Sequence, residues 1–345
     1  MEQGTLGELY LTRSVTKHIR KYNKAVAVGA GVGKDYALID CGKASSLETA
    51  SIPAESDNAY ISVSEGIAET PFVAWIKAIN NIAMSGCDIS GVRLSYMLPV
   101  DTTEEQLKVY AGEFNSLADG FGIQIIGGNT RVSFAYSRAS FLVEVVGTLA
   151  ADNRLLLKAK EDYEVVMVGY TAMLGTNLIV NQRCDELKTR FAPSYVEGSR
   201  FPDSECCILD RAKKACELAT AADVVYMHDI SHGGVYGALW QLGQALNMGV
   251  VVNHRSIPVK QETIEVCNYF DINPYMCDGT GAFLVVARDG KLLADELSKS
   301  GCVASVIGKL TNNKDRVVIL GSESGEKRFL TPIKGDEIYK VISAY

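Results

Sequence analysis

Short β-branched segments alternate with longer helical patterns along the chain, and this alternation is the feature that most limits the possible folds. In the first half, strands are expected at Ala25–Val28, Tyr36–Ile39, Ala59–Val63, Val92–Met97, Gln124–Gly127 and Ser140–Val146, and helices at Pro71–Ser85 and Thr103–Gly120. Several of these strands follow one another directly, as in a meander. The pattern therefore predicts an α+β fold built of α/β layers, and not one doubly wound parallel sheet.

The alternation stops in a polar, charged passage at residues 151–163, and we place a domain boundary there. A chain of 345 residues is long enough for two domains that each bury a core. The prediction is an N-terminal domain of residues 1–152 and a C-terminal domain of residues 153–345. Within the second domain, the polar stretch Asn181–Ser204 is expected to be a surface insertion.

Charge and cysteine content argue against some classes of function. The net charge of −7 and the pI near 5.3 argue against nucleic-acid binding, for which a basic face is typical. The most apolar stretch, Val235–Val252, contains Gln241, Gln244 and Asn247 and is too polar for a membrane span. Nine scattered cysteines without a CxxC motif, and an N-terminus without an apolar signal segment, predict a cytoplasmic protein with reduced thiols.

The stretch VAVGAGVGKDYALIDCG, residues 26–42, is the first candidate for a ligand site. It is not a P-loop, because Gly33-Lys34 is followed by Asp35, and it lacks the GxGxxG spacing of a dinucleotide-binding turn. Its glycines nevertheless allow backbone N–H groups to face an anion. Lys34 could neutralise phosphate, and Asp35 could bind Mg²⁺. The alternative is a plain glycine-rich turn with solvated charges.

Two further clusters place polar residues at the ends or on the faces of expected elements. Glu65 is expected just past a strand end, and Asn80 and Asn81 lie in an apolar helix, where their amides need partners. In IIGGNTRVS, a strand is expected to run into a turn at Gly127–Ser133. Each cluster could also be an ordinary cap or glycine turn, so none decides the function alone.

The segment HDISHGG, residues 228–234, has the histidine spacing of the HExxH helix of zinc enzymes. A strand is expected at Val224–Met227, and Gly233-Gly234 would interrupt a helix, so the two histidines are not expected on one helical face. A strand-to-helix loop is the preferred interpretation. Its backbone N–H groups and the dipole of the following helix would suit an anion.

Taken in order, these clusters resemble the PurM-like superfamily, whose members include aminoimidazole-ribonucleotide (AIR) synthase, selenophosphate synthetase, thiamine-monophosphate kinase and the hydrogenase-maturation protein HypE. The family motifs GDDAAVI, TTD, NDIAAMGA, GGDT and DxTxGG are similar to stretches that begin at residues 33, 63, 80, 127 and 229. The likeness runs from about residue 6 to residue 345. The run GVVVNHRSIPVKQETIEVC followed by INPY resembles the HypE-like, AIR-synthase-related subgroup.

The resemblance implies both a fold and a ligand. It implies an N-terminal domain whose strands form a β-barrel across a homodimer, a C-terminal α/β domain, and an ATP-binding groove in which acidic residues hold Mg²⁺ on the phosphates. On this basis the metal ligands would be Asp35, Glu65 and Asn81. The nucleotide would be bound by Gly31, Gly33, Lys34, Gly127, Gly128, Asn129, Thr130, Arg131, Asp229, Gly233 and Gly234.

The acidic residues of the family site are largely replaced in this chain. Lys34, Asn81 and Asn129 stand where the family has aspartate, and Glu65 replaces another. Because transfer chemistry on ATP depends on metal ions that neutralise charge, weak or altered catalysis is expected, and no catalytic residue is assigned. The chain could use ATP to activate an amide or carboxyl oxygen of an unknown small-molecule or protein substrate. Alternatively it is a degenerate, non-catalytic nucleotide-binding or assembly homodimer, or a structural dimer without ligand.

Overall fold

The computed structural model describes residues 6–19, 23–42, 59–150, 155, 157–321 and 325–342. The contacts among these residues divide the chain into two compact units. The six-stranded unit comprises residues 23–29, 35–42 and 59–150, and the seven-stranded unit comprises residues 6–19, 30–34 and the described residues from 155 to 342. This division differs from the predicted domains 1–152 and 153–345, because two segments of the first half pack with the second half. One of these segments contains the first helix, α1 (Glu8–Ser14).

A single mixed sheet forms the centre of the six-stranded unit. Its strands are β1 (Val26–Val28), β2 (Ala37–Asp40), β3 (Ala59–Ala68), β4 (Asp88–Leu98), β5 (Ile125–Val132) and β6 (Ser140–Ala150). Their order is β1-β2-β3-β6-β4-β5, and all neighbours are antiparallel except β4 and β5, which are parallel. Because β1 and β5 stand at the two edges of the described sheet, it is open within one chain. The barrel across a homodimer stays a prediction.

Two helices, α2 (Pro71–Ala83) and α3 (Glu104–Phe121), cover one face of this sheet. Strand β3 alternates accordingly: Ser64 is buried, whereas Glu65 and Ile67 are exposed. Successive side chains of a strand point to opposite faces. The exposed residues of β3 therefore lie on the face that the helices leave uncovered.

Aromatic packing joins the two helices to the sheet. Phe114 of α3 packs edge-on against Phe141 of β6 with ring centroids 5.5 Å apart, and it lies 6.5 Å from Trp75 of α2. All three rings are fully buried. Helix α3 begins with a capping box, in which the Thr103 hydroxyl accepts the Gln106 N–H and the Gln106 side chain accepts the Thr103 N–H. The predicted start of this helix is thereby confirmed.

The segment Gly127–Arg131 lies within β5, so the expectation of a turn at Gly127–Ser133 was wrong. It pairs in parallel with β4, and Gly128 stands opposite Leu94. A Cβ on Gly128 would lie 1.8 Å from the carbonyl oxygen of Leu94. Paired glycines usually favour turns, but here the missing side chain lets two backbones approach closely within a sheet.

A seven-stranded sheet forms the centre of the second unit. Its strands are β7 (Glu164–Val168), β8 (Val224–Ile230), β9 (Gly249–Asn253), β10 (Ala282–Ala287), β11 (Ala304–Thr311), β12 (Arg316–Leu320) and β13 (Glu326–Phe329). Their order is β13-β12-β9-β11-β7-β10-β8. Among the described strands of this second sheet, only β9 and β12 are parallel neighbours. All residues of β8 and β10 are buried, so both faces of the sheet are covered there.

The helices of the seven-stranded unit are α4 (Met173–Gln182), α5 (Cys184–Leu187), α6 (Pro193–Gly198), α7 (Leu209–Glu217), α8 (Ala219–Ala222), α9 (Gly234–Leu246), α10 (Gln261–Tyr269) and α11 (Gly290–Lys299). The stretch Asn181–Ser204, expected as a surface insertion, contains α5 and α6 and buries Leu187 and Val196. It therefore contributes to the core as well as to the surface. In the described part of the chain, no helix combines the length and the apolar character that crossing a membrane requires.

Helix α1 inserts a carboxylate into the seven-stranded unit. Glu8 is only 5% exposed, and burial raises its pKa to about 7. The nearby Gln241 side chain, the charges of His228 and Arg316, and the backbone of Ile333 act in the opposite direction and offset part of the increase. No pattern in the sequence distinguishes Glu8 from the other acidic residues of the N-terminal segment.

Replacing Gly128 with alanine is expected to destabilise the six-stranded unit by about 1–3 kcal/mol more than replacing Gly127. The two glycines have nearly the same φ, +153° at Gly127 and +152° at Gly128, so both alanines carry similar backbone strain. A Cβ at Gly127 would meet nothing within 4 Å, whereas one at Gly128 would meet Leu94. Urea unfolding measures the difference. Equal losses would show that backbone strain, and not the approach of β4 to β5, requires glycine.

The raised pKa of Glu8 predicts a pH-dependent stability. Because its folded-state pKa of about 7 lies above the ordinary value of 4.5, the stabilising contribution of the protonated carboxyl is complete only below pH 4.5 and is lost as the pH rises through 7. The advantage of Glu8→Gln over the wild type should therefore grow between pH 5 and pH 8, by at most about 3 kcal/mol. Urea unfolding at both pH values tests this, and a pH-independent difference would contradict it.

Candidate functional site

Residues 30–34 of the glycine-rich loop pack in the seven-stranded unit. The hydroxyl of Tyr226 donates to the carbonyl oxygen of Gly33, and a Cβ on Gly33 would lie 2.6 Å from the carbonyl oxygen of Gln241 in α9. The φ of Gly33 is +71°, which also favours glycine. Packing against α9 is thus sufficient to require glycine here. Nucleotide binding by Gly33 and its neighbour Gly31 stays a prediction.

Lys34 extends from this loop over the ring of Tyr226. Its ammonium lies 5.7 Å from the ring centroid, and the side chain is exposed. A cation within about 6 Å of an aromatic face is attracted by the ring quadrupole. The loop therefore holds a positive charge beside Tyr226, at the beginning of β8.

The three predicted metal ligands belong to the six-stranded unit, where one hydrogen bond joins two of them. The side-chain amide of Asn81 donates to the carbonyl oxygen of Glu65 over 2.9 Å. Glu65 lies inside β3, which continues to Ala68, and not past the end of a strand as expected. Ala37, the first residue of β2, pairs with Val63 of β3, and Asp35 lies two residues before that strand in the same unit. Asn81 thus reaches the backbone of Glu65 from α2, while the Glu65 side chain lies on the face that the helices leave uncovered, and metal binding by the three residues stays a prediction.

Two residues that the sequence analysis did not identify lie in line with Glu65 on the next two strands of the sheet. Glu144 of β6 stands opposite Glu65, and Arg93 of β4 stands opposite Glu144. The guanidinium of Arg93 is 3.2 Å from the Glu144 carboxylate, so Glu144 is already paired with a cation. A single charged residue in the otherwise apolar run FLVEVVG was the signal that could have identified Glu144.

The side-chain oxygen atoms of Asp35, Glu65 and Asn81 fit a magnesium ion only if a bound molecule and water fill its other coordination positions. Among the described residues, no group of three or more His, Cys, Asp or Glu side chains is arranged to hold a metal ion. Mg²⁺ is commonly held by one or two carboxylates, with phosphate oxygens and water as the other ligands. Asp35, Glu65 and the amide oxygen of Asn81 are compatible with that arrangement. They do not form a metal cage on their own.

The remaining predicted residues of this unit lie along β5. Asn129 pairs with Ser95, Thr130 with Tyr96, and Arg131 with Met97. Because side chains alternate along a strand, Asn129 and Arg131 share one face and Thr130 lies on the other. A single ligand on one face of the sheet can therefore reach Asn129 and Arg131 but not Thr130.

In the seven-stranded unit, the predicted strand-to-helix loop is confirmed, since β8 ends at Ile230 and α9 begins at Gly234. Asp229 is buried within β8 and is only 3% exposed. His228, also in β8, has its Nε2 atom 2.9 Å from Oε1 of Gln241. His228 and His232 thus belong to a strand and to a loop, which is not the arrangement of an HExxH helix.

A carboxylate of the chain itself occupies the anion position at the start of α9. The N–H of Gly233 donates to Oδ2 of Asp336 over 2.7 Å. Oδ1 of Asp336 accepts the N–H groups of Asp278, at 3.2 Å, and of Ile338, at 3.0 Å. Nδ1 of His232 lies 3.8 Å from Asp336, whose side chain has no exposed surface. The predicted ligand contact of Gly233 is therefore made by Asp336, which the sequence analysis did not identify.

Comparisons with known proteins agree with this architecture. The family described as "AIR synthase related protein, C-terminal domain" matches residues 205–321. Carbamoyl dehydratase HypE of Rhodobacter capsulatus is 20% identical over 277 residues, which cover 78% of this chain and 78% of that protein. Phosphoribosylformylglycinamidine synthase subunit PurL of Corynebacterium ammoniagenes is 23% identical over 327 residues, or 89% of this chain. The chain spans only 41% of the length of that PurL.

Two solved structures have the same fold over most of the chain. Hydrogenase maturation protein HypE in complex with ATP has a TM-score of 0.64 and 14% identity, covering 82% of this chain and 87% of that one. AaThiL complexed with AMPPCP and TMP has a TM-score of 0.64 and 15% identity, covering 94% of this chain and 97% of that one. Residues 205–321 therefore match the AIR synthase-related C-terminal domain, and the chain shares the fold of these two structures, which is the PurM-like fold.

Proposed function

We propose that this chain binds ATP and that Asp35, Glu65 and Asn81 hold one Mg²⁺ ion against its phosphates. The observation that carries the proposal is the hydrogen bond from the Asn81 side chain to the backbone of Glu65, in the unit that also contains Asp35. The HypE structure with ATP and the AaThiL structure with AMPPCP support the choice of ligand, because both proteins share this fold.

A single metal ion suits the charges of this site. Asp35 and Glu65 supply two carboxylates, and the neighbouring carboxylate of Glu144 forms an ion pair with the guanidinium of Arg93. A second divalent cation would be close to that guanidinium and would lack a carboxylate of its own. Two carboxylates and one amide match the ligands that Mg²⁺ takes when it also binds phosphate oxygens.

The reaction that fits such a site is transfer of the γ-phosphoryl group of ATP to an amide or carboxyl oxygen of a second substrate, with release of ADP. A magnesium ion supplies neutralisation of the charge on the phosphates. The protein residues position that ion: Glu65 is fixed in β3, and Asn81 is tied to the Glu65 backbone from helix α2. No catalytic residue is assigned.

A non-catalytic nucleotide-binding protein is the alternative function. The observation in its favour is the low number of carboxylates, since Asn81 and Asn129 replace aspartates of the family pattern and Arg93 neutralises Glu144. Phosphoryl transfer requires more groups that stabilise the developing charge than binding of the nucleotide alone does. Such a protein would bind ATP without turning it over.

A homodimer is part of both functions. The edge strands β1 and β5 of the six-stranded sheet expose Val26, Ile126 and Val132, which are 42%, 52% and 56% accessible. An exposed apolar edge strand is a template for pairing with another chain. Pairing with a second copy would cover these residues and continue the sheet.

Calorimetric titration with ATP, with and without Mg²⁺, tests the proposed function. Mg²⁺ should increase the affinity of the wild type for ATP. In Asp35→Asn and in Glu65→Gln this increase should be smaller by a factor of at least about ten, equivalent to about 1.4 kcal/mol. Glu104→Gln is the matched control, because Glu104 is an exposed acid paired with Lys108 on α3. Its Mg²⁺ dependence should equal that of the wild type.

The outcomes separate the two functions. Mg²⁺-dependent binding followed by ADP release on addition of carboxylates or amides supports the enzyme, and Mg²⁺-dependent binding without turnover supports the non-catalytic alternative. Binding that ignores Mg²⁺, or affinity unchanged in Asp35→Asn and Glu65→Gln, contradicts the metal assignment. Absence of binding at millimolar ATP contradicts the whole proposal.

A further inference from the structure

A cavity of about 800 Å³ lies within the seven-stranded unit, away from the loop between β8 and α9. We call it the lysine cavity and define it by Lys34, Lys158, Lys160, Tyr226, Leu246 and Met248, which are among the residues that line it. Its volume is within the range of about 300–1,000 Å³ that is usual for small-molecule sites. The beginning of β8 and the end of α9 form its walls.

The lysine cavity is positively charged in a protein that is acidic overall. The described residues that line it include three lysines and one glutamate, whereas the whole chain has a net charge of −7. The glutamate, Glu161, accepts hydrogen bonds from the side chain of Asn312 at 2.6 Å and from its N–H at 3.3 Å. The next acid along the chain, Asp162, pairs with Lys309 at 2.7 Å. An anionic ligand would therefore meet more cations than carboxylates.

Lys34 is held at this cavity by specific contacts. The Tyr226 hydroxyl binds the carbonyl oxygen of Gly33, and Gly33 packs against the backbone of α9 so closely that a Cβ would not fit. The Lys34 ammonium then lies over the Tyr226 ring, which itself lines the cavity. This lysine differs from an ordinary surface lysine, because its backbone position is fixed by two neighbours.

Part of the lining is apolar. Ala245, Leu246 and Met248 are only partly buried and pack against the main hydrophobic core of the unit, and Val225 is buried. Partly exposed apolar side chains in a concave site bind the apolar or aromatic part of a ligand. The lining thus combines cations with apolar side chains.

The start of α9 is not an alternative position for the anionic group. Its Gly233 N–H already donates to the buried carboxylate of Asp336. A phosphate placed there would have to displace a carboxylate that accepts three backbone N–H groups. The one carboxylate among the described residues that line the lysine cavity, Glu161, accepts hydrogen bonds from Asn312 and is outnumbered by three lysines.

We propose that the lysine cavity binds a small molecule that carries a phosphate group on an apolar or aromatic body. Lys34, Lys158 and Lys160 bind the phosphate, and the body lies against Tyr226, Leu246 and Met248. The assignment goes beyond the proposed function, because none of Asp35, Glu65 and Asn81 lines this cavity. The phosphate ester could be a nucleotide or a non-nucleotide ester, since lysines recognise the same group in both.

Titration of the full chain with phenyl phosphate and with AMP, in low salt and without Mg²⁺, tests the proposal. At least one of the two should bind more than tenfold tighter than inorganic phosphate, because only the esters carry a body. The Lys158→Ala/Lys160→Ala variant should bind that ester at least tenfold more weakly. Lys291→Ala/Lys299→Ala is the control, since it removes two exposed lysines of α11 with the same change in net charge.

A second measurement locates the ligand. Bound ester should protect Lys158 and Lys160 from acetylation, as read by mass spectrometry, but not Lys291 and Lys299. Preference for AMP identifies a nucleotide as the source, and preference for phenyl phosphate identifies a non-nucleotide ester. Three results would each overturn the proposal. They are no binding of either ester at concentrations of about 10 mM, equal losses of affinity in the two double variants, and no protection of Lys158 and Lys160 from acetylation.

The two proposals fail independently. The Asp35→Asn variant should bind the ester as the wild type does, because its residue is outside the lysine cavity. Loss of the Mg²⁺ effect on ATP binding in that variant, with ester binding intact, supports both sites. Ester binding that is lost in Asp35→Asn as well as in the lysine variant would overturn the separate cavity.

Discussion

The buried carboxylate of Asp336 is the contact on which the seven-stranded unit most depends. It accepts N–H groups from Gly233, Asp278 and Ile338, which belong to three distant parts of the chain. A buried N–H group that loses its acceptor costs about 1–3 kcal/mol. Removing the Asp336 carboxylate would take the acceptor from three N–H groups at once, and a different side chain could not easily replace it. A negative charge at the start of a helix is also favourable. The carboxylate therefore determines where α9 begins.

The position of α9 in turn determines the surroundings of both the loop and the cavity. Gln241, two turns along the helix, provides the carbonyl oxygen against which Gly33 packs and the side chain that reaches His228. Ala245, one turn further, lines the cavity with an apolar side chain. A one-residue shift of the chain along this helix would turn these residues away from their partners by about 100°. The loop and the cavity thus share one structural support.

Local sequence signals predicted those parts of the fold that depend on near neighbours. The cap at Thr103 predicted the start of α3, and Gly233-Gly234 predicted the end of the loop before α9. The pair Gly127-Gly128 misled, because its glycines serve a close approach to β4 that is not visible in the local pattern. Asp336 and its partner Gly233 are 103 residues apart, and no periodicity or cap reports a contact of that kind. The proposed metal ligands depend only on the order of the family motifs and stay a prediction.

The adjacent residues Lys34 and Asp35 show why the resemblance alone could not define the site. In the family pattern both positions are aspartates that serve one metal site, whereas here the first is a cation. Lys34 packs in the seven-stranded unit on Tyr226, and Asp35 belongs to the six-stranded unit. A cation beside the carboxylates would compete with Mg²⁺, while beside Tyr226 it adds to the charge of Lys158 and Lys160. If both proposals hold, the substitution of aspartate by lysine removes a ligand from the proposed metal site and supplies one to the lysine cavity.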